Sequence, residues 1–143
     1  MDTINQAIVV AHGSATVPHY GFLQKTYDKR PYQPLVAELA SRFAITDTTD
    51  LNYDSAMVYH LCQQEEHCLL LSLVGKFFLL FDSLVDRECL VEQPATEESR
   101  AVFRTVQQHG FVSIDRTTLE RHTCLVDDEG VSKTVWEALF DRS

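Results

Sequence analysis

Two apolar runs in the middle of the chain give its clearest structural pattern. Residues 68–74 and 77–81 are apolar at nearly every position, and Gly75 and Lys76 separate them. Two apolar runs joined by a Gly-X pair are typical of a β-hairpin, in which Gly75 would supply a positive φ at the first turn position. Strands that are apolar throughout are covered on both faces. The pattern therefore predicts a hairpin in the middle of a sheet, and residues 55–62 predict a preceding strand.

Helical spacing of apolar residues occurs on both sides of this hairpin. Residues 34–43 are apolar at helical intervals, and Pro34 suits a first helical turn. A second helix is predicted after Thr96, which suits an N-cap because two glutamates follow it, with Gly110 as the stop. Ser132 is predicted to cap a last helix.

The remaining segments carry weaker patterns. Residues 111–115 and 123–126 are predicted to form short strands, and residues 117–122 form either strand material or a helical turn. Residues 6–11 suit a strand or the start of a helix. Residues 17–34 hold three of the four prolines and predict an ordered loop.

Strands clustered in the middle of the chain, with helices on either side, predict an α+β fold. Its centre is a mainly antiparallel β-meander at about residues 53–86, flanked by about three helices. The length predicts one domain, residues 1–143, in which residues 1–33 form a loop-rich N-terminal segment.

The acidic charge of the chain is unevenly distributed. The net charge is −9 at pH 7, and residues 1–45, 46–81 and 82–143 contribute +1, −4 and −6. A domain with two acidic thirds repels nucleic acid and anionic membranes and attracts a basic partner. We therefore predict a basic protein partner, with no nucleic acid and no membrane among its ligands.

The cysteines and the apolar runs indicate in which cellular compartment the protein is expected. The chain has four cysteines and no CxxC pair, and its N-terminus lacks a secretory signal pattern. Such cysteines indicate reduced thiols in a cytosolic protein. The strongest apolar run, residues 68–81, is shorter than a membrane span and contains Lys76. We therefore expect a cytoplasmic protein.

His12 lies in the string that looks most like part of an enzyme. It begins an His-Gly-Ser sequence after an apolar run, a position where catalytic groups often lie when the run is a strand. Over about seven residues this string resembles the first-strand His-Gly-Ser of the class II chelatases of tetrapyrrole biosynthesis. The rest of the chain lacks the alternating strands and helices of that family. A polar turn after a short element is the alternative interpretation, and no catalytic residue is predicted.

Four residues were weighed as metal ligands: His60, Cys62, His67 and Cys68. Their spacing matches no common zinc module, so small buried thiols and turn histidines are the favoured interpretation. No metal and no other cofactor is predicted. Two acidic groups were also considered. The first, Asp82, Asp86 and Glu88, is interpreted as the solvated exit of a strand. The second, residues 127–129, is interpreted as an acidic turn.

The general character of the chain resembles the immunity proteins of bacterial toxin–immunity systems, including contact-dependent growth inhibition. The residues that carry this resemblance are the apolar hairpin at 68–81 and the terminal helix at 134–140. The resemblance implies a small cytoplasmic protein that neutralises a secreted toxin domain, of nuclease type, because an acidic surface mimics phosphate charge. Two alternatives stay open: a small enzyme using His12 or His60, and an adaptor or structural subunit that pairs through residues 69–81.

Ten residues are predicted to contact the partner, eight as acids and two as aromatic anchors. They are Asp47, Asp50, Asp54, Glu65, Glu66, Asp127, Asp128, Glu129, Tyr53 and Trp136. The sequence leaves open which of them share one surface, and it also leaves open the oligomeric state.

Overall fold

Helices and strands of this chain form an α+β fold, as predicted, in a computed structural model that describes residues 2–14 and 16–141. The helices are α1 (Thr3–His12), α2 (Phe22–Asp28), α3 (Gln33–Ala40), α4 (Glu97–Gln108), α5 (Arg116–Leu119) and α6 (Val135–Leu139). The strands are β1 (Ala44–Asp47), β2 (Ala56–Cys62), β3 (Glu66–Ser72), β4 (Phe77–Asp82), β5 (Val112–Ser113), β6 (His122–Val126) and β7 (Ser132–Thr134). In the described part of the chain, no helix is both long enough and apolar enough to cross a membrane.

The main sheet is mixed but mainly antiparallel. Its five strands lie in the order β1-β2-β3-β4-β5. The first four form antiparallel pairs, and β5 pairs in parallel with β4 because α4 carries the chain back across the sheet. Strands β6 and β7 form a separate antiparallel pair.

The predicted apolar hairpin, β3 with β4, lies inside this sheet and is buried on both faces. Leu69 and Leu80 point to one face and pack with α3 and α4, which we call the α4 face. Cys68 and Phe81 point to the other, the α1 face, where α1, α6 and β6 cover the strands. The adaptor alternative relied on this hairpin, yet its apolar side chains are covered by the chain itself.

Gly75 is needed for space and not, as the sequence suggested, for a positive φ. The connection between β3 and β4 spans four residues, and Gly75 is absent from the positive-φ glycines of the described chain. A Cβ added at Gly75 would lie 2.8 Å from Cε2 of Phe77 and 3.1 Å from Cβ of Ala7. The ring of Phe77, together with the close approach of α1, therefore excludes a side chain at this position.

The capping signals predicted one helix well and a second less well. Thr96 caps α4 by accepting the N–H of Ser99, and Gly110 follows the helix with a φ of +87°. For the last helix, the predicted cap Ser132 is wrong. Ser132 lies in β7, and Thr134 caps α6 through a capping box with Glu137.

The N-terminal segment contains more helix than its prolines suggested. Asp2 caps α1 by accepting the N–H of Asn5, and Ile4 and Ile8 bury one side of that helix. The helix α2 occupies part of the predicted loop at 17–34, where Leu23 is buried. Helices this short form through tertiary packing, so their local sequence signal is weak.

Candidate binding surface

One stretch of the chain brings together four of the ten predicted contact residues. Residues 47–54, which run from the last residue of β1 towards β2 and which we call the acidic loop, contain Asp47, Asp50, Tyr53 and Asp54. The side chain of Asp47 accepts the N–H of Thr49 at 2.9 Å. These carboxylates are thus held on a short, hydrogen-bonded loop.

Asp50 and Asp54 fold the rest of the loop through hydrogen bonds to the backbone. Asp50 accepts the N–H of Asn52 at 3.0 Å with its side chain, and its own N–H donates to Oδ2 of Asp54 at 2.8 Å. The backbone N–H of Tyr53 and of Asp54 both donate to the carbonyl of Asp50. Side-chain caps of this kind stabilise turns before any partner binds, so the loop is preorganised.

The acidic loop concentrates negative charge without an internal cation. Asp54 forms an isolated β-bridge with Asp141, which brings the two acids close. Burial raises the pKa of Asp54, and the charges of Asp141 and Asp50 raise it further against the lowering effect of the Asp50 N–H. Among residues 2–14 and 16–141, no lysine or arginine pairs with Asp47, Asp50 or Asp54 within 4.0 Å. Tyr53 is 59% exposed on the same loop.

The remaining predicted contact residues lie elsewhere. Glu65 and Glu66 are at the turn between β2 and β3, at the other end of the seven-residue strand β2. A strand of that length separates its ends by about 20 Å. Trp136 is half-buried, edge-on to Phe81 and stacked on Phe140 at a centroid distance of 6.0 Å. It packs against the core of the α1 face and stays partly exposed, lining a cleft with Phe81.

The third acidic group forms the turn between β6 and β7. Asp127 accepts the N–H of Glu129 and of Val131 with Oδ1, each at 2.9 Å. Asp128 and Glu129 are exposed on that turn. This is the acidic turn that the sequence predicted, and it belongs to the small sheet.

A groove lined by tyrosines opens next to the acidic loop, and we call it the tyrosine groove. It lies between the helices α2 and α3 and the strands β1 and β2, and its volume is about 430 Å³. Its lining residues are Tyr27, Arg30, Tyr32, Gln33, Val36, Ala40, Ile45, Asp47, Met57 and Tyr59. Asp47 belongs to both the groove and the acidic loop, so the two features form one continuous surface.

Hydrogen bonds fix two of the three groove tyrosines. The hydroxyl of Tyr27 donates to Oδ2 of Asp47 at 3.2 Å, and that of Tyr32 donates to the carbonyl of Ser72 at 2.5 Å. Burial, followed by the charge of Asp47, raises the pKa of Tyr59. The negative charge of Asp47, followed by burial, raises the pKa of Tyr27. The three phenols are therefore neutral donors and acceptors at physiological pH.

Tyr32 is expected to make the fold sensitive to alkali. Burial raises its pKa to about 12 from an ordinary value of 10.0. Its neutral form therefore stabilises the folded state fully below about pH 10, and this contribution is lost as the pH rises towards about 12. We expect Tyr32→Phe to flatten that loss in urea unfolding, while costing about 1 kcal/mol at neutral pH through the lost hydrogen bond to Ser72. An unchanged alkaline slope would contradict this.

Arg30, at the rim of the groove, has a strained backbone. Its φ is +48°, a conformation that glycine adopts more easily, and it follows α2 at the position where helices often end in glycine. We expect Arg30→Gly to raise the free energy of unfolding by about 0.5–1 kcal/mol. Lys29→Gly, two residues from Tyr27 but with an ordinary helical φ, is the matched control and is expected to lower it. If Arg30→Gly lowered the free energy of unfolding, the interpretation of the Arg30 backbone as strained would be wrong.

The most reaction-like cluster is buried on the α4 face, away from the groove. Nδ1 of His67 lies 3.5 Å from Oδ1 of Asp82, and Nε2 lies 3.4 Å from Oε1 of Glu98. These are ion-pair distances, and neither ring nitrogen makes a well-formed hydrogen bond to the described residues. Oε1 of Glu98 also accepts the N–H groups of Gln64 and Glu65. The cluster thus joins β3, β4, α4 and the turn after β2.

Within the described part of the chain, this histidine is closed off from solvent. The side chain of His67 is 0% exposed. The clefts that reach Asp82 and Glu98 are not lined by His67. The buried imidazole lies between two carboxylates from β4 and α4 and so links these elements to β3. Sequence reasoning considered His67 and Asp82 separately and missed Glu98, because no local spacing connects residues so far apart along the chain.

The other two histidines considered for chemistry, His12 and His60, lie on different elements. His12 ends α1 and does not follow a strand, and its Nδ1 accepts the N–H of His19 at 2.9 Å. Burial, followed by the charges of His19 and Lys133, lowers its pKa. His60 lies on β2 opposite Cys68, while His67 points to the other face. Among the described residues, no group of three or more histidine, cysteine or acidic side chains has a geometry that could hold a metal.

Comparison with known proteins adds no assignment to this surface. No family model, no curated protein and no solved structure matches the chain. The interpretation of the acidic loop and the tyrosine groove therefore rests on their own geometry and charge.

Proposed function

We propose that this protein binds a basic protein partner through the acidic loop. The observation that carries the proposal is the concentration of Asp47, Asp50 and Asp54 on a preorganised loop where no described lysine or arginine pairs with them. Burial raises the pKa of Asp54, and the charges of Asp141 and Asp50 add to this effect through carboxylate repulsion. A cationic partner surface relieves that repulsion, so binding gains free energy from charge that is unfavourable in the isolated protein.

The exposed ring of Tyr53 gives the loop a second element of a binding surface. Tyrosine supplies a large contact area at low entropic cost, and interface hot spots are rich in it. An aromatic side chain surrounded by carboxylates matches a partner surface of arginine and lysine, because cations bind both the ring face and the carboxylates. The net charge of −9 adds long-range attraction that accelerates the encounter.

The resemblance to immunity proteins suggests the class of partner. By that resemblance the partner is a secreted toxin domain of nuclease type, and binding neutralises it in the cytoplasm of the producing cell. An active site that binds phosphates is basic, so an acidic loop can occupy it in place of nucleic acid. Neutralisation by occupancy needs no catalytic group in this chain, which is consistent with the buried position of His67.

The test compares two variants that lose the same charge from different ends of β2. The loop variant carries Asp47→Asn, Asp50→Asn and Tyr53→Ala, and asparagine keeps an oxygen for the Thr49 and Asn52 N–H groups. The comparison variant carries Glu65→Gln and Glu66→Gln. Each variant and the wild type would be tagged, expressed in the source cells and purified at low and high salt, with bound proteins identified by mass spectrometry.

A basic protein retained by the wild type and the comparison variant, but lost by the loop variant and at high salt, supports the proposal. Its nuclease activity would then be measured with and without this protein. A partner retained equally by all three proteins would contradict the role of the acidic loop. A partner lost only by the comparison variant would place the binding surface at the β2–β3 turn instead.

A further inference from the structure

We infer that the tyrosine groove receives an arginine or lysine side chain of the basic partner. This inference rests on the proposed function, because the groove shares Asp47 with the acidic loop and a partner bound to one lies over the other. It goes further by assigning a defined pocket and a defined chemical group to the interface.

Two polar groups of the groove, the carboxylate of Asp47 and the hydroxyl of Tyr59, can accept hydrogen bonds from an occupant. Asp47 uses Oδ1 for the N–H of Thr49 and Oδ2 for the hydroxyl of Tyr27, so each oxygen keeps a free lone pair. The hydroxyl of Tyr59 makes no hydrogen bond to the described residues, although the residue is only 8% exposed. The charge of Asp47 acts directly on the phenols of Tyr27 and Tyr59. Such a site favours a cation that carries N–H donors.

The walls of the groove suit the rest of a long basic side chain. Val36, Ile45 and Met57 provide an apolar surface beside the polar end. Lysine and arginine bury their methylene stems against apolar surfaces while the charged end keeps polar partners. Tyrosine rings attract a cation placed over their faces. A volume of about 430 Å³ is ample for one such side chain.

Arg30 allows a cationic occupant of the groove to be distinguished from an anionic one. It lies at the rim, its positive charge acts on Tyr27, and it makes no ion pair with the described residues. An anionic ligand would bind Arg30, whereas a cationic side chain is repelled by it and attracted by Asp47. Removing Arg30 should therefore strengthen the binding of a cation and weaken the binding of an anion.

The experiment uses single amino acids as probes, so that it does not require the partner. N-acetyl-arginine amide and N-acetyl-glutamate amide would each be titrated into isotope-labelled protein at constant ionic strength, with amide shifts followed by NMR. The variants are Asp47→Asn, Tyr59→Phe and Arg30→Gly. The matched control is Glu88→Gln, which removes one exposed acid near the far end of β4. The amide spectrum of each variant also shows whether it is folded.

We expect saturable shifts from the arginine probe at residues lining the groove. Asp47→Asn should weaken this binding about five-fold, the factor that corresponds to the loss of one ion pair of about 1 kcal/mol. Arg30→Gly should strengthen it, and Glu88→Gln should leave it unchanged. Because Tyr59→Phe keeps the ring and loses only the hydroxyl, a smaller weakening is expected there.

Three results would overturn the inference. They are the absence of saturable groove shifts, equal weakening by Asp47→Asn and Glu88→Gln, and groove shifts from the glutamate probe that Arg30→Gly abolishes. Each result would leave the proposed function standing if the loop variant still loses its partner. Conversely, the probe could bind in the groove while the partner binds the loop variant as well as it binds the wild type. That result would show that the groove binds a cation but is not part of the proposed interface.

Discussion

Replacing His67 with leucine is expected to lower the free energy of unfolding by about 3 kcal/mol, because it leaves Glu98 buried beside an apolar side chain. Glu98 is 7% exposed, and among the described residues its carboxylate receives two long backbone N–H contacts besides His67. Asp82 is largely exposed, so water replaces its lost partner at little cost. Chemical denaturation, followed by far-UV circular dichroism, measures the change.

A double-mutant cycle separates the interaction between His67 and Glu98 from the effect of changing the side-chain volume at position 67. The double variant His67→Leu with Glu98→Gln removes the stranded charge, so its loss should be smaller than the sum of the single losses. Glu120→Gln serves as the surface control. It removes the exposed Glu120–Arg87 ion pair at 3.0 Å and should cost less than about 1 kcal/mol. If His67→Leu were no more destabilising than Glu120→Gln, the cluster would have no role in stability.

Adding a single methyl group at Gly75 is expected to destabilise the fold by about 2 kcal/mol. The new Cβ would lie 2.8 Å from Cε2 and 3.2 Å from Cδ2 of Phe77, and 3.1 Å from Cβ of Ala7. Phe77 is itself only 6% exposed, so its ring cannot move aside freely. Thermal unfolding of Gly75→Ala measures the effect.

The identity of the clash can be tested by shortening the ring that causes it. Leucine at position 77 has no atom equivalent to Cε2, so Gly75→Ala combined with Phe77→Leu should lose less stability than the two changes added together. Gly21→Ala is the control, because a Cβ there meets nothing within 4 Å. An unchanged stability for Gly75→Ala would show that Phe77 and Ala7 leave room for a Cβ at this turn.

Local patterns predicted those parts of the fold whose signals lie within one segment. The hairpin β3–β4 was predicted by its apolar runs, and α4 by Thr96 and Gly110. Strand β1 was missed because it has four residues, mostly exposed, and no alternation to show its inner face. The predicted role of Gly75 was wrong because its constraint comes from side-chain packing against Phe77 and Ala7, which turn patterns do not report.

In the candidate surface too, residues that are neighbours along the chain could be predicted to lie together, whereas distant residues could not. Asp47, Asp50, Tyr53 and Asp54 meet because they are neighbours along the chain, so their cluster could be predicted. Glu65 and Glu66 appeared equivalent to them, but β2 carries the chain to the other end of the sheet in between.

The tyrosine groove was not predicted, although four of the five tyrosines lie between residues 20 and 53. Tyr27 and Tyr32 come from the region of α2 and α3, whereas Tyr59 comes from the central strand β2. Only the pairing of β1 with β2 brings these segments together around one cavity. Non-local assembly of this kind leaves no spacing in the sequence.

The cover of the α1 face has a consequence for synthesis of this protein on the ribosome. Arg121 bonds Asp2 at 2.6 Å, and the N–H of Cys124 donates to Asn5, so α1 docks against residues made more than a hundred positions later. The hairpin β3–β4 forms through local contacts and is therefore complete early. Its α1 face stays incompletely covered until β6 and α6 have emerged. The nascent chain thus exposes an apolar sheet for that interval, and we expect it to require chaperones at that stage more than the finished protein does.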